Sequence, residues 1–159
     1  MLLNGSCHCG SVRFSVRSAT PFPYMLCYCS ICRKTAGGGG YAINIMGDAA
    51  TLKVEGRRCL SAYRAKLSRR AKTRSPARRN FCRRCGSALW VSDPRWPEWI
   101  YPFASAIDTK LPAPRQRQHI FLASRPGWVR VCAREGDRRF SAYPRESIHD
   151  WHRTRGLLK

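Results

Sequence analysis

The 159-residue chain has the length of one domain, and its 43% hydrophobic and 11% aromatic content is typical of a folded protein rather than a disordered one. The first six residues lack the charged start and long apolar stretch of a signal peptide, and the longest apolar runs are too short to span a bilayer. We therefore expect a cytoplasmic protein without a membrane partner. There, cysteines stay reduced, and clusters of them bind metal more often than they form disulfides.

The net charge of the chain is strongly positive. Thirty Lys and Arg residues against nine Asp and Glu residues give a formal charge of +21 and a pI near 10.7. Such a charge favours anionic partners, either nucleic acid or small anionic metabolites, without choosing between them. The basic segment 66–84 holds nine of these side chains: Lys66, Arg69, Arg70, Lys72, Arg74, Arg78, Arg79, Arg83 and Arg84.

The beginning of the chain predicts two short strands around a turn. Apolar and polar side chains alternate from Val12 to Val16, as in a strand with one buried face. This pattern places two strands within residues 2–17. One helical turn is expected over residues 30–35, and it ends at the four glycines of positions 37–40.

The rest of the chain predicts further strands and one helix. Three segments are expected to form successive strands of an antiparallel sheet, with turns at Gly47-Asp48 and at Gly56: residues 41–46, 51–54 and 60–65. Other strand candidates are residues 78–81, 88–91, 99–104 and 119–123. The segment 146–155 is predicted as a helix, because Ile148, Trp151 and His152 share a face and Gly156 follows. The chain therefore reads as a single, mainly β domain over residues 1–159.

Seven of the nine cysteines fall into three close groups: Cys7 and Cys9; Cys27, Cys29 and Cys32; Cys82 and Cys85. A structural zinc ion takes four protein ligands, whereas a catalytic one takes three and leaves a position open. Seven clustered thiols divide naturally into four and three. Cys59 and Cys132 stand apart, and we expect both to be small buried hydrophobic side chains.

The first and third groups together predict one structural zinc site formed by Cys7, Cys9, Cys82 and Cys85. Each pair is followed by a glycine, which tolerates positive φ and lets backbone N–H groups point at the sulphurs. Such a site would join segments more than seventy residues apart. Two alternatives remain: Cys7 and Cys9 are merely buried thiols, or His8 replaces one sulphur. We interpret His8 as a solvent-facing neighbour.

The middle group, Cys27, Cys29 and Cys32, offers three thiols without an obvious fourth ligand beside them. The functional interpretation is an open zinc site whose fourth position accepts water or a substrate thiol, which zinc would hold as a nucleophilic thiolate. The glycines at 37–40 would allow close approach of a peptide-like ligand, or form a plain flexible loop. The alternative is a closed site completed by Cys59, Cys132 or a histidine. An iron–sulphur cluster is disfavoured, because such clusters usually take four protein thiolates.

The motifs resemble a known family. They are G-S-C-H-C-G-x-V-R-F at positions 5–14, C-x-C-S-x-C-R-K at 27–34 and F-C-x-x-C-G-S-x-L-W at 81–90, followed by His119-Ile120-Phe121, Trp128 and the segment 148–152. This order is similar to that of the glutathione-dependent formaldehyde-activating enzyme and centromere protein V family. The resemblance covers nearly the whole chain.

The resemblance implies a β-rich Mss4-like fold of small antiparallel sheets with a short C-terminal helix and two zinc ions. It assigns Cys7, Cys9, Cys82 and Cys85 to the structural zinc, and Cys27, Cys29 and Cys32 to the catalytic one. The implied activity is condensation of glutathione with formaldehyde to S-hydroxymethylglutathione, which makes the protein a carbon–sulphur lyase in the reverse direction. Glutathione would then be a co-substrate whose carboxylates basic side chains hold.

Other functions stay open at this level. The basic segment 66–84 is not required by glutathione chemistry and suggests a zinc-binding module for nucleic acid, with Tyr63 and Phe81 available to stack on bases. A solvated mobile loop is its simplest alternative. A third possibility is a non-catalytic protein with two closed zinc sites.

Several histidines and tryptophans are predicted without a chemical role. His149 and His152 are interpreted as packing or surface residues, and Trp128 and Trp151 as core residues. Three further tryptophans are candidates for the lining of a pocket: Trp90, Trp96 and Trp99.

Overall fold

The computed structural model describes residues 1–68, 72–114 and 116–158, and in these ranges the chain forms three small β-sheets and two short helices. The first sheet is antiparallel and comprises, in spatial order, β1 (Leu2–Ser6), β2 (Arg13–Arg17) and β6 (Lys53–Glu55). The predicted alternation in β2 is confirmed, since Phe14 and Val16 are buried and Arg13 and Arg17 are exposed. The first two strands therefore flank the turn that carries Cys7 and Cys9.

The second sheet is the largest and is antiparallel throughout. In spatial order it comprises β5 (Gly47–Asp48), β10 (Trp99–Pro102), β9 (Ala88–Ser92), β8 (Arg78–Cys82) and β7 (Leu60–Tyr63). The turn between β8 and β9 carries Cys82 and Cys85. Strand β7 lies at one edge of this sheet, with the basic segment 66–84 following it.

The third sheet is mixed. In spatial order it comprises β12 (Arg138–Arg139), β11 (Arg117–Ile120), β3 (Tyr24–Cys27) and β4 (Ala42–Asn44). Strand β11 pairs in parallel with β3 and with β12, whereas β3 and β4 are antiparallel. All four residues of β3 are buried, as expected for a central strand covered on both faces.

Two details of the predicted strand order are wrong. The segments expected to form one sheet after residue 40 lie in three different sheets, as β4, β6 and β7. Gly47-Asp48, predicted as a turn, is strand β5 at the edge of the second sheet. Alternating hydrophobicity indicates that a segment is a strand but does not indicate which strand it pairs with. Here the sheets are formed by pairing between segments that are far apart along the chain. The Gly56 turn is confirmed, with φ of 70°.

The two helices are α1 (Ser30–Ala36) and α2 (Ile148–Arg153). The second is capped at its N-terminus by Ser147, whose hydroxyl accepts a hydrogen bond from the Asp150 N–H at 3.0 Å. Its His152 is fully buried and contacts the carbonyl of Phe22 through Nε2 at 2.5 Å. The terminal helix is thereby joined to the chain just before β3. In the described ranges, neither helix has the length or the apolar character needed to cross a bilayer.

The core consists of two clusters. The larger contains side chains of all three sheets, among them Trp90, and the smaller surrounds Cys27 and Cys32. The prediction of a buried Trp128 is wrong, since it is 70% exposed. It lies in a turn closed by a 3.1 Å hydrogen bond from Val129 N to Pro126 O, and Val129 is the residue of that turn that is buried. Trp151 is half-buried.

The glycines at 37–40 form a packed turn, closed by a 3.0 Å hydrogen bond from Gly40 N to Gly37 O. A Cβ on Gly37 would lie 2.2 Å from the Tyr41 carbonyl oxygen, and a Cβ on Gly40 would lie 2.3 Å from Val129. Positions 38 and 39 have open space around them. The run therefore serves packing between α1 and β4 rather than forming a plain loop.

Candidate metal centres

The structure brings together the four cysteines that the sequence assigned to a structural site. The sulphurs of Cys7, Cys9, Cys82 and Cys85 all lie within 4.8 Å of one another. The Cys7–Cys9 sulphur separation is 3.6 Å and the Cys9–Cys82 separation is 3.8 Å. Bonds of about 2.3 Å to one tetrahedral zinc ion place sulphurs roughly 3.8 Å apart, so the thiols fit that ion.

Two matching turns build this four-thiol group. In the first, Gly10 N donates to Cys7 O at 2.9 Å, and in the second, Gly86 N donates to Cys82 O at 2.8 Å. Both glycines have positive φ, 69° for Gly10 and 76° for Gly86. These are the two positions where the sequence placed a glycine after a cysteine pair, and the backbone conformation explains why.

Hydrogen bonds also join the two turns and point at the sulphurs. Val12 N donates to Cys7 Sγ at 3.2 Å, as the sequence analysis expected for such a turn. His8 N donates to Ser87 Oγ at 3.1 Å, and Arg84 Nη1 donates to Ser11 Oγ at 3.0 Å. These hydrogen bonds therefore join the first and second sheets at this point without the help of a metal ion. The His8 side chain is exposed, which agrees with its interpretation as a neighbour.

The ionisation of these thiols is uneven. Burial raises the pKa of Cys7 to about 11, whereas the Ser87 hydroxyl and backbone N–H lower the pKa of exposed Cys85 to about 5. Hydrogen bonding with Ser11 likewise lowers the pKa of Cys9. At neutral pH the group thus offers both thiolates and a thiol that must release its proton when a metal binds.

The second predicted group is also assembled. The sulphurs of Cys27, Cys29 and Cys32 lie within 4.8 Å of one another. Cys27 ends β3, Cys29 is the residue before α1, and Cys32 lies in the first turn of that helix. Cys32 N donates to Cys29 Sγ at 3.4 Å, which is a capping contact made by a sulphur. The change from strand to helix within six residues is what makes the three side chains converge.

Hydrogen bonding among these three thiols separates their pKa values. Hydrogen bonds with Cys29 and Cys32, together with burial, raise the pKa of Cys27. Hydrogen bonds from Cys27 and Cys32 stabilise the charged form of Cys29 and lower its pKa. One negative charge is therefore shared by three sulphurs, and a second charge is costly without a cation. This is the electrostatic setting in which a soft divalent metal ion is bound.

The surroundings of the three-thiol group are aromatic and partly open. Phe121 and Tyr143 make an edge-to-face contact with ring centroids 4.4 Å apart. Tyr143 is 70% exposed overall, and partial desolvation followed by the negative charge of the nearby three-thiol group raises the pKa of its hydroxyl. Phe121 has φ of 59°, a conformation that bulky side chains rarely adopt. Such strained residues concentrate at functional sites.

A buried polar network lies behind the three-thiol group, and the sequence analysis missed it. The Tyr28 hydroxyl lies 2.9 Å from His119 Nδ1, and His119 Nε2 lies 3.3 Å from Asp137 Oδ2. Arg117 binds the same Asp137 carboxylate through Nε at 3.0 Å and Nη2 at 2.7 Å. The motif His119-Ile120-Phe121 was the only sign in the sequence that His119 has a role, and nothing in the sequence indicated its contact with Tyr28.

The other candidate ligands lie elsewhere. In the described ranges, no further His, Cys, Asp or Glu joins the three-thiol group. Cys59 is buried in the larger core cluster, as predicted. The prediction of a buried Cys132 is wrong, since this residue is exposed in an irregular segment, where its carbonyl accepts from Arg117 Nη2 at 2.7 Å. His149 is half-exposed, and the centroid of its ring lies 5.4 Å from the centroid of the Trp99 ring.

The three tryptophans that were predicted to line a pocket lie in different environments. Trp90 is buried in the core and Trp96 is 45% exposed. Trp99 lines a cavity of about 270 Å³ together with Met46 and Leu158. Of the basic segment 66–84, Arg69 and Arg70 lie outside the described residues.

Comparison with known proteins agrees with this geometry. The model of the family described as "Glutathione-dependent formaldehyde-activating enzyme" matches residues 2–124. A Halomonas elongata protein named "Putative glutathione-dependent formaldehyde-activating enzyme" is 59% identical over 157 residues, which cover 99% of this chain and 98% of that protein.

A solved structure agrees as well. A Rhodobacter sphaeroides protein, known from a crystal structure, is 27% identical and superposes with a TM-score of 0.54 over 69% of this chain and 91% of its own. The mainly β fold, the cysteine clusters and both sequence matches lead to one conclusion. The chain belongs to the glutathione-dependent formaldehyde-activating enzyme family.

Proposed function

We propose that this protein condenses a small anionic thiol, with glutathione as first candidate, with formaldehyde or a related small electrophile. The observation that carries the proposal is the convergence of exactly three ligand side chains, Cys27, Cys29 and Cys32, in the described part of the chain. A four-ligand set closes around a metal ion, whereas a three-ligand set leaves room for a substrate sulphur. The names of the family and of its Halomonas elongata member support the choice of reactants.

Two zinc ions per chain belong to the proposal. The four-thiol group would hold a structural ion, and the three-thiol group would hold the second. Bound by three thiolates, zinc would act as a Lewis acid that lowers the pKa of a substrate thiol. The reduced state that these free cysteines need is that of the cytoplasm, where we place the protein.

The chain's own residues would hold and shield the reactants. The Phe121 and Tyr143 rings stand beside the three-thiol group and would restrict water there. The ionised substrate sulphur adds to the carbonyl carbon of formaldehyde, so that a C–S bond forms as the C=O π pair moves to oxygen. That oxygen takes a proton from solvent, and the product is the S-hydroxymethyl adduct. The reverse reaction breaks the C–S bond, which is a carbon–sulphur lyase reaction.

The test is substitution of Cys29 by Ser, measured as the rate of adduct formation from glutathione and formaldehyde by zinc-loaded protein. We expect the catalysed rate to fall by a factor of about 100 or more, because the ligand whose charge the other two thiols stabilise is lost. Cys132→Ser, at an exposed cysteine that belongs to neither group, is the control. An unchanged rate in Cys29→Ser would show that the reaction, if present, occurs elsewhere.

Nucleic-acid binding is a second candidate function, favoured by charge distribution. Positions 56–92 contain twelve Lys or Arg residues and no Asp or Glu. In the described part of this segment, Tyr63 is 43% exposed on the edge strand β7, and Arg64 and Lys66 beside it are exposed. Exposed aromatic and basic side chains together suit single-stranded nucleic acid.

Binding of a fluorescent single-stranded oligonucleotide, measured by anisotropy, tests this second function. We expect binding at 50 mM salt that weakens by a factor of about 10³ at 200 mM salt, because phosphate contacts release counterions. No binding at low salt excludes this function. Binding that does not respond to salt would contradict the electrostatic explanation.

A further inference from the structure

One row of side chains crosses the second sheet and leads to the three-thiol group. Tyr63 pairs with Arg79, Arg79 pairs with Val91, and Val91 pairs with Tyr101. Residues directly opposite on neighbouring strands point to the same face of a sheet. Val91 and Tyr101 pack against the cluster that contains Cys27 and Cys32. The Arg79 side chain therefore lies on the face that covers the three-thiol group.

The Arg79 guanidinium has no anion in the described part of the chain. Its Nε and Nη1 atoms are buried and have no hydrogen-bond partner there. Asp93, which the charge of Arg79 reaches, is already bound at two oxygens by Arg95, through Nε at 3.0 Å and Nη2 at 2.6 Å. Buried guanidinium N–H groups without a partner are costly, so a native structure keeps them only for a reason.

Arg79 also lies near the sulphurs, since the positive charge of its guanidinium is within electrostatic reach of Cys32. The planar fork of N–H groups on an arginine matches a carboxylate better than any other anion-binding side chain does.

We propose that Arg79 anchors a carboxylate of the thiol substrate, with its buried Nε–H donating to a carboxylate oxygen while the substrate sulphur lies at Cys27, Cys29 and Cys32. This inference rests on the proposed function and makes it more specific. The substrate class becomes thiols that carry a carboxylate, and uncharged thiols are poor ligands. The remaining basic residues of the segment 66–84 are not needed for this step.

The experiment is thiol binding to cobalt-substituted protein, followed by the change in the thiolate-to-cobalt absorption. Glutathione is compared with its diethyl ester, which has the same thiol and no free carboxylate, and with 2-mercaptoethanol. We expect wild type to bind glutathione at least about tenfold more tightly than the ester, the range of one charge-assisted hydrogen bond or more. Arg79→Gln should abolish that preference. Arg79→Lys, which keeps the charge without the fork, should retain only part of it.

Arg78→Gln is the matched control, because Arg78 is the exposed neighbour on the opposite face of β8. It should keep the full preference. The anchor is wrong if Arg79→Gln still prefers glutathione, or if wild type binds the ester equally well. Loss of cobalt from Arg79→Gln with the preference intact would assign Arg79 to neutralising the thiolates and also overturn the anchor. If Arg79→Gln does not fold, an undiminished preference in Arg79→Lys contradicts the proposal.

A different binding result would overturn the proposed function itself. If no thiol changes the absorption of any variant, the three-thiol group does not accept a substrate sulphur. That result overturns the proposed function, and the anchor with it, because Arg79 would have no thiol ligand to hold. Binding of 2-mercaptoethanol with no carboxylate preference overturns the anchor alone.

Discussion

Tyr28 stands between two of the clustered thiols, yet its side chain is turned into the core. Its hydroxyl reaches His119, which burial keeps neutral by lowering the pKa of its imidazole. Asp137 is ionised, because hydrogen bonds from Arg117 and backbone N–H groups outweigh burial and lower the pKa of its carboxyl. The neutral His119 therefore donates from Nε2 to Asp137 and accepts from Tyr28 at Nδ1. The network fixes the backbone that presents Cys27 and Cys29.

Substitution of Tyr28 by Phe removes the hydroxyl and leaves His119 Nδ1 without a donor. We expect a loss of about 1–3 kcal/mol in the free energy of unfolding, measured by urea denaturation of the zinc-loaded protein. Tyr63→Phe is the control, because Tyr63 is exposed, and it should change stability by less than about 0.5 kcal/mol. Equal stability of the two variants would mean that the network contributes nothing to the fold.

Sequence analysis succeeded where the side chains belong to a recognisable motif, as the cysteine pairs do, and failed for distant side chains that no motif marks. The spacing of Cys27, Cys29 and Cys32 within six residues already restricts them to one place. Tyr28 and His119 are 91 positions apart, and no local pattern signals their contact. The errors at Trp128 and Cys132 have the same origin, since the path of an irregular segment decides which of its side chains are buried.

At the scale of elements, strands were predicted well and their partners poorly. Every predicted strand segment overlaps a strand in the structure, because alternation and flanking turns are local properties. Pairing depends on chain segments that close long loops, as β3 does with β11 over ninety residues. The result is a parallel pair in a protein whose sheets were expected to be antiparallel.

The turn between α1 and β4 provides a test at this scale. Gly40 has φ of 90°, and a Cβ there would lie 2.3 Å from Val129 Cγ2. Gly40→Ala should lower the free energy of unfolding by about 1–3 kcal/mol, through backbone strain and overpacking. Gly38→Ala, where no atom lies within 4 Å of the added Cβ, should change it by less than about 0.5 kcal/mol. Thermal unfolding of both variants measures the difference, and equal stability would contradict the packed turn.

For the whole molecule, stability should fall as the pH drops below about 6.5. Burial lowers the pKa of His152, so the folded protein holds this imidazole neutral while the unfolded chain protonates it. Its contribution is complete above pH 6.5 and is lost as the pH falls toward its folded pKa. Nearby His149 lowers the pKa further, and His152 Nδ1 has no hydrogen-bond partner among the described residues.

His152→Gln tests this linkage, because an amide N–H can still donate to the Phe22 carbonyl but does not titrate. Between pH 7.5 and 5.5 the variant should lose stability less steeply than wild type, by at most about 1.4 kcal/mol per pH unit. Unfolding free energies at several pH values give both slopes. Proton uptake by the thiols and by His119 is common to both proteins, so identical slopes would show that His152 does not contribute.

The two cysteine groups differ in how far apart their members lie along the chain. This difference determines which group is completed first during synthesis. Cys27, Cys29 and Cys32 leave the ribosome almost together, whereas Cys82 follows Cys9 by 73 positions. At about 5–20 residues per second, that interval is roughly 4–15 s. The three-thiol group can therefore capture an ion while the four-thiol group is still incomplete. The metal supply during synthesis would act first on the three-thiol group, and the four-thiol group would join the first two sheets only afterwards.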